Sequence, residues 1–446
     1  MESLEASLSG RGAAADYAEA LLARLDVAAR RVAGPDEPSP AARWARSGAM
    51  SLTGHAQGPP LPAPGPLASC AEGALLALRA LGPVNGAGAA LPSDGGALLG
   101  EHAACLGHTR KGRLSPGGSC RLLPAADGWI ALNLARPDDT AALPALLECD
   151  AGDAHDPWAL VAREVARRPR HEWVERGRWL SIPLAAADPP DATPPDWLRR
   201  TRHAGAGDAP ARAPRVVDLS SLWAGPLCTS LLAGLGAQVA KVESTGRPDG
   251  LREGSPRFFD LLNGGKRSVA LDLADPDGRR ALRALVDGAD LVVEATRPRA
   301  LRQLGVDAEG WLGARPGRVW LSLTGYGRGD AAPGRVAFGD DAAVAAGLAW
   351  ATGRDEGAPL FCADAVADPL AGLHAALAAW SAWRSGGGVL LDLALRDVAA
   401  HALGFEAEPG PCDEPAAAPR ARAAAHPARP FGADTRAALA EVGVGC

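Results

Sequence analysis

The chain has 446 residues, a formal net charge of −6 and 47% hydrophobic residues, enough for two or three domains with an ample core. The slightly acidic balance excludes a basic field for nucleic acid. No apolar run long enough for a bilayer and no charged-then-apolar start stand in the sequence, so a cytoplasmic protein without membrane contact is expected. The eight cysteines form no C-x-x-C pair and have no nearby His at ligand spacing, so neither a metal site nor a disulfide framework is expected.

In chain order, residues 1–43 carry helical spacing (Tyr17, Leu21, Leu22, Leu25), which predicts a docking helix and then a Pro-rich joint at 34–42. Residues 44–108 recur later: WARSGAMSLTG with GPPLPAPGPLASCAEGALLALRAL parallels VAAGLAWATG with GAPLFCADAVADPLAGLHAALAAW. Gly48, Gly54 and Gly73 match Gly347, Gly353 and Gly372 at one offset of 299, which marks an internal repeat of a connecting helical module. Residues 109–205 predict a small α+β lobe, with a strand pair around Asp127-Gly128-Trp129 and helical runs bearing Trp158, Trp173 and Trp179.

Residues 206–345 hold the most informative stretch. PRVVDLSSLWAGPLCTSLLAGLGAQVAKVES at 214–244 reads as strand, turn, helix and strand, with Gly225-Pro226 opening the helix, where first-turn amides are free to meet an anion. A second such unit runs from Asn263-Gly264-Gly265-Lys266-Arg267-Ser268 through VALDLADPDGRRALRALVDGADLVVEA, followed by RPRALRQLG and by RVWLSLTGYGRGD, a strand ending at a Gly-Tyr-Gly turn. Lysine occurs only at Lys111, Lys241 and Lys266, and two of these fall in the β-α-β region, where a compact cation suits a phosphate. The second helical module follows at 346–404. Residues 405–430, rich in Pro and Ala, predict a flexible linker, and 431–446 a closing helix with an Asp434-Thr435 cap.

The motifs VVDLSSLWAGPLCTSLLAGLGAQVAKVE, NGGKRSVALDL, RPRALRQLG and SLTGYGRGD with VAFGDDAAVAAGLAWATG, in that order, resemble the class III CoA-transferases. That family includes carnitine, formyl and succinyl CoA-transferases and the 2-methylacyl-CoA racemases. The resemblance implies an α/β fold, with a Rossmann-like parallel-sheet CoA-binding domain and a smaller α+β lobe. It also implies coenzyme A carried as acyl-CoA, a carboxylic acid acceptor and a homodimer. In the family a DGW lobe lies downstream of the nucleotide-binding half. Here it lies upstream, so residues 44–200 resemble the rear of one copy, joined through 201–213 to the front of a second.

The family attacks the thioester with an Asp at a helix start, forming a mixed anhydride and then an aspartyl-CoA thioester. The matching segment is Phe338-Gly339-Asp340-Asp341. Without a gap that Asp falls on Gly339, a one-residue slip selects Asp340, and the Gly-x-Asp pattern selects Asp341. Asp340 and Asp341 are therefore the candidate nucleophiles, with helix capping as the alternative role. The offset of 299 carries them back to Ala41 and Ala42, so the first copy is expected to be silent. The racemases place a His before the Asp and a second Asp downstream. Here Phe338 or Gly339 takes the His place and Asp368 the second Asp, read as a turn or cap residue before Pro369. One base of a two-base exchange is missing, which favours transfer over racemisation. For CoA the resemblance implies Trp223, Ala224 and Gly225 near the thiol arm, Lys266 and Arg267 near the phosphates, and Arg297, Arg299 and Arg302 toward the adenine. The rival reading is a non-catalytic acyl-CoA-binding scaffold.

Overall fold

A computed structural model describes residues 4–83, 90–149, 157–208, 212–296, 298–329 and 335–444. The first surprise is at the amino end, where β1 (Glu5–Arg11), α1 (Ala13–Arg24) and β2 (Ala28–Asp36) form a parallel β-α-β unit in place of a lone docking helix. In β1 burial alternates residue by residue, with Ala6 and Leu8 inward and Glu5, Ser7 and Ser9 outward. This is the period of a strand, carried by side chains too small to announce it. The helices α2 (Pro40–Arg46), α3 (Leu67–Leu81) and α4 (Glu101–Leu106) follow.

The lobe pairs β3 (Cys120–Ala125), β4 (Gly128–Asn133) and a later strand, β5 (Leu184–Ala186), in an antiparallel sheet. Between β4 and β5 lie α5 (Pro137–Ala141), α6 (Leu143–Leu147), α7 (Trp158–Val165) and α8 (Arg170–Leu180). Ile130, Leu132, Leu146, Val161 and Trp173 give the lobe its own core. The chain then crosses to the main sheet through β6 (Arg199–Arg202).

The main domain continues as β7 (Arg215–Leu219), α9 (Ala224–Gly234), β8 (Gln238–Ser244), α10 (Leu251–Gly254), α11 (Pro256–Asn263), β9 (Arg267–Leu271), α12 (Pro276–Gly288) and β10 (Leu291–Glu294). After it come α13 (Pro298–Gln303), α14 (Ala308–Ala314), β11 (Val319–Thr324), α15 (Gly339–Ala345), α16 (Leu348–Thr352), α17 (Ala367–Arg384), β12 (Val389–Ala394) and α18 (Leu395–Leu403). The sheet has seven strands in the order β6-β12-β11-β10-β7-β8-β9. All neighbours are parallel except the β6-β12 edge pair. Strands β10, β11 and β12 have both faces covered and read as apolar runs, as parallel strands between helical layers must.

Helix α17 is buried nearly all round, the mark of a central helix. It packs on α9 from one side and on α3 from the other. Residues 405–430 hold no helix or strand, yet they are anchored where a flexible linker is expected. Ala417 N–H donates to the Ala45 carbonyl at 2.8 Å, Arg422 pairs with Glu101, and Ala428 N–H donates to Asp260 at 2.9 Å. The last helix, α19 (Thr435–Glu441), docks on β9.

Candidate active site

Strand order reverses between β7 and β10: β8 and β9 extend the sheet one way and β10, β11 and β12 the other. In a parallel sheet that reversal opens a crevice beyond the carboxyl ends of the two strands. A cavity of about 1250 Å³ lies there. The segment after β7 (Ser221, Leu222, Ala224, Gly225) and the segment after β10 (Ala295, Thr296, Arg299, Arg302) both line it. Leu222 adopts a left-handed φ of 66°, a strain that persists only where the surroundings impose it. A Cβ on Gly225 would lie 2.2 Å from the Ser220 Cβ, so only glycine lets the loop close onto α9.

The loop is held from behind by a buried polar network. Asp218 accepts from Ser220 N–H at 3.0 Å and from the Thr229 hydroxyl at 2.5 Å. Lys266 Nζ reaches Thr229 Oγ1 at 2.7 Å, the Pro226 carbonyl at 2.9 Å, Asn263 Oδ1 at 3.0 Å and Asp218 at 3.1 Å. Lys241 meets the Ser220 carbonyl and Asp249, each at 2.9 Å. Burial, against the pull of Asp218, pushes the Lys266 ammonium down to about 8. Burial raises Asp218, but Lys266 and Lys241 outweigh it and hold the carboxyl at about 2. Lys266 is thus a saturated internal cation and does not reach the crevice. Arg267 pairs with Glu441 at the far edge strand and is likewise not among its walls.

Six arginines (178, 199, 299, 302, 328, 335) and His203 line the cavity against Glu309, Asp368 and Asp392, so its wall carries more basic than acidic side chains. Arg328 is spoken for by Glu294 and Glu309 and Arg199 by Asp392 and Asp397. Arg299 forms no ion pair among the described residues, and Arg302 only long ones at 3.6 and 4.0 Å. Arg297 lies outside the described residues. Trp223 turns inward, buried against His102 and Phe258, and leaves Ala224 and Gly225 at the wall.

The acids form a layer beside the crevice. Asp340 and Asp341 sit in the first turn of α15, buried, and neither is among the residues lining the cavity. Asp340 Oδ1 accepts from Ala365 N–H at 2.9 Å; burial, and then the Asp364 charge, raise its carboxyl well above the usual range. Asp341 Oδ1 accepts from Asn133 Nδ2 at 2.9 Å and Phe338 N–H at 3.0 Å, while its Oδ2 has no partner among the described residues. Burial, opposed by those bonds, pushes it up to about 7. The member of this acid layer that does line the cavity is Asp368, in the first turn of α17. Its Oδ2 accepts from Gly339 N–H at 3.1 Å, and burial raises it to about 7. A Cβ at Gly339 would lie 2.3 Å from that oxygen and 2.4 Å from the Ala365 carbonyl, so Asp368 and Ala365 together fill the space a side chain at 339 would need.

Residues 213–435 match the model of the CoA-transferase family III. The chain belongs to that family. A succinyl-CoA–D-citramalate CoA-transferase of Chloroflexus aurantiacus is 32% identical over 41% of this chain and 48% of its own length. A formyl-CoA:oxalate CoA-transferase of Afipia carboxidovorans is 34% identical over 41% and 46%. The chain spans about half the length of the curated relatives it matches. A solved CAIB/BAIF family protein from Brucella suis is 27% identical over 45% of this chain and 56% of its own, with a TM-score of 0.37.

Three features of this family III chain escape a reading of its sequence. Asp368 carries the signature of a helix cap before proline, and nothing in its neighbours tells that it faces the crevice. Trp179, 68% exposed at the cavity wall, comes from the lobe, far away in sequence. His102 and His108 both direct Nδ1 at Asp364 Oδ2, at 2.8 and 3.1 Å. Burial alone would raise Asp364, but these two bonds hold it at about 2. The ligand atoms of the three lie within 4.8 Å of one another, a metal-compatible grouping where none is expected, although the shared hydrogen bonds already use those atoms. No helix among the described residues is long and apolar enough to cross a membrane.

Proposed function

We propose that this chain moves CoA between carboxylic acids in the crevice between β7 and β10, with Asp368 as the carboxylate that becomes acylated. One observation carries the assignment: Asp368 lines the cavity and is hydrogen-bonded to Gly339, on which the family's attacking Asp falls without a gap, while Asp340 and Asp341 do not line it. Asp340 and Asp341 stand behind it. In the first half-reaction an Asp368 oxygen attacks the thioester carbonyl, the C–S bond breaks, and a mixed anhydride forms as CoA leaves as thiolate. The thiolate then attacks the aspartyl carbonyl and expels the donor carboxylate, leaving an aspartyl-CoA thioester. The acceptor acid reverses both steps.

The surroundings suit this chemistry. The Gly339 N–H that bonds Asp368 favours its ionised form, and the same donor can stabilise oxyanion charge. Arg299 and Arg302 offer guanidinium groups to the CoA phosphates, and Trp179 offers a face on which adenine can stack. The succinyl and formyl substrates named for the relatives set the first donors to try.

The test is trapping. The protein is incubated with succinyl-CoA, quenched with hydroxylamine and digested, and the hydroxamate is located by peptide mass. Modification at Asp368 is the expected result. Modification at Asp340 or Asp341 moves the nucleophile from α17 to α15, and protein that binds CoA without being modified refutes transfer in favour of a binding protein.

A further inference from the structure

Two parts of the chain repeat each other in space. An offset of 210 carries the first β-α-β unit onto the second. The pair Glu5↔Ala28 becomes Arg215↔Gln238 in the same parallel register. Helices α1 and α9 close at Leu25 and Leu235 through the same set of backbone bonds, and Asp26 and Gly236 both take left-handed φ, 59° and 99°. The offset of 299 does the same for the helical modules, and the two offsets interlock. A Cβ on Gly73 would press on Ala14 and Tyr17, and one on Gly372 on Ala224 and Leu227; the first pair of partners is 210 residues from the second. The offsets differ by 89 residues, 299 against 210, which is the stretch the first copy lacks. Among the described residues its sheet has two strands, so they show no reversal of strand order and no crevice of that kind.

The copies face each other as twofold partners do. Pro190, downstream of the lobe of the first copy, closes on Gly347 of the second. Pro419, downstream of the second, closes on Gly48 of the first; in each case a built Cβ would lie 2.6 Å from the proline Cα. Such reciprocity defines an isologous contact. At the centre α3 and α17 meet, with Trp380 Nε1 donating to the Gly82 carbonyl and Arg384 to that of Leu81, both at 2.9 Å.

The chemistry does not follow the symmetry. Asp340 and Asp364 correspond to Ala41 and Gly65 at the offset of 299. The matched helix ends Leu106-Gly107 and Leu403-Gly404 bring His108 onto Phe405. Ala41, Gly65 and Phe405 line a separate cavity of about 780 Å³ with Trp44 and Met50. The same backbone thus stands without the acids and the histidine, so folding alone does not require them.

We infer that the chain is a pseudo-dimer within one polypeptide: its amino-terminal half holds the place of a second subunit and completes the one functional site in cis. From that half come Arg178, Trp179 and Ser181 at the crevice and Asn133 on Asp341. The homodimer implied by family resemblance is replaced by a single chain with one CoA site. The inference rests on architecture and stands apart from the transfer reaction proposed above.

Light scattering on the eluting full-length protein, over a hundredfold range of concentration, together with calorimetric titration of CoA, tests it. The mass of one 45.5-kDa chain at every concentration and one CoA per chain is the expected result. A stable two-chain mass, or two CoA molecules per chain, overturns it. A one-chain mass with no CoA bound supports the single-chain assembly while refuting the CoA reading.

Discussion

Replacing Lys266 with Met separates two roles that the sequence alone cannot tell apart. The ammonium has four acceptors within 3.1 Å and is 2% exposed, and its ion-pair partner Asp218 is equally buried. Removing it leaves Asp218 bonded to Ser220 and Thr229 but without its contacting counter-ion. Breaking a buried pair by deleting one partner costs about 3–5 kcal/mol, read as a fall in the urea midpoint at unchanged slope. Adding Asp218→Asn to Lys266→Met removes the stranded charge and should recover part of the loss, a coupling of about 1–3 kcal/mol in the double-mutant cycle. If Lys266 instead gripped a CoA phosphate, the single variant would lose CoA affinity and keep its stability within about 0.5 kcal/mol. That outcome would refute the reasoning.

Other outcomes follow from the same geometry. Arg299→Ala and Arg302→Ala should each raise the Kd for CoA severalfold with little change in thermal stability; an unchanged Kd in both removes the arginines from the phosphate site. Gly372→Ala places a Cβ 2.8 Å from the Ala224 carbonyl and should cost about 1–3 kcal/mol. Gly313→Ala in α14, with open space around it, should be neutral or stabilise by up to about 1 kcal/mol; equal effects of the two would contradict the packing. Asp368 titrates at about 7 in the folded chain against an ordinary 3.8. Between those values the folded state holds a proton the unfolded state has lost, so this contribution is greatest below the lower pKa and falls as pH rises to the upper one. The loss is up to about 4 kcal/mol, three pK units at about 1.36 kcal/mol each. Asp368→Asn should flatten that part of the decline in urea midpoint between about pH 4 and about pH 7, and an unaltered slope would show the carboxyl to be unperturbed.

The legible parts of this chain were those whose signal is local. The β-α-β unit at 214–244 declares itself through an apolar run, a Gly-Pro helix start and a second apolar run, each dictated by neighbours in sequence. The same architecture at 5–36 is silent because Ser7, Ser9 and Gly10 stand where Val or Ile would mark a strand, and because its pairing is satisfied by one partner strand only. The direction in which a side chain points is set by tertiary packing, which no local pattern encodes. The scarcity of lysine drew attention to Lys266 without revealing that Thr229, Asn263 and the Pro226 carbonyl would enclose it.

Asp368 shows why the proposed acid is less legible in the sequence than the crevice. Its sequence context, Val-Ala-Asp-Pro, is that of any residue at a helix start, and it differs from the capping aspartates only in what it faces. What it faces depends on Gly339, whose missing side chain leaves the space that the Asp368 carboxylate enters, and these two positions lie 29 residues apart. Placing a side chain back at 339 is therefore the perturbation to which Asp368 is most exposed. Gly339→Ala sets a methyl 2.3 Å from Oδ2 and 2.4 Å from the Ala365 carbonyl, so α15 or the segment leading into α17 must shift, and the Gly339 N–H bond to the carboxylate shifts with it. Either movement alters the one group the proposed reaction needs while leaving the arginine wall intact, so transfer should fall far more than CoA affinity does.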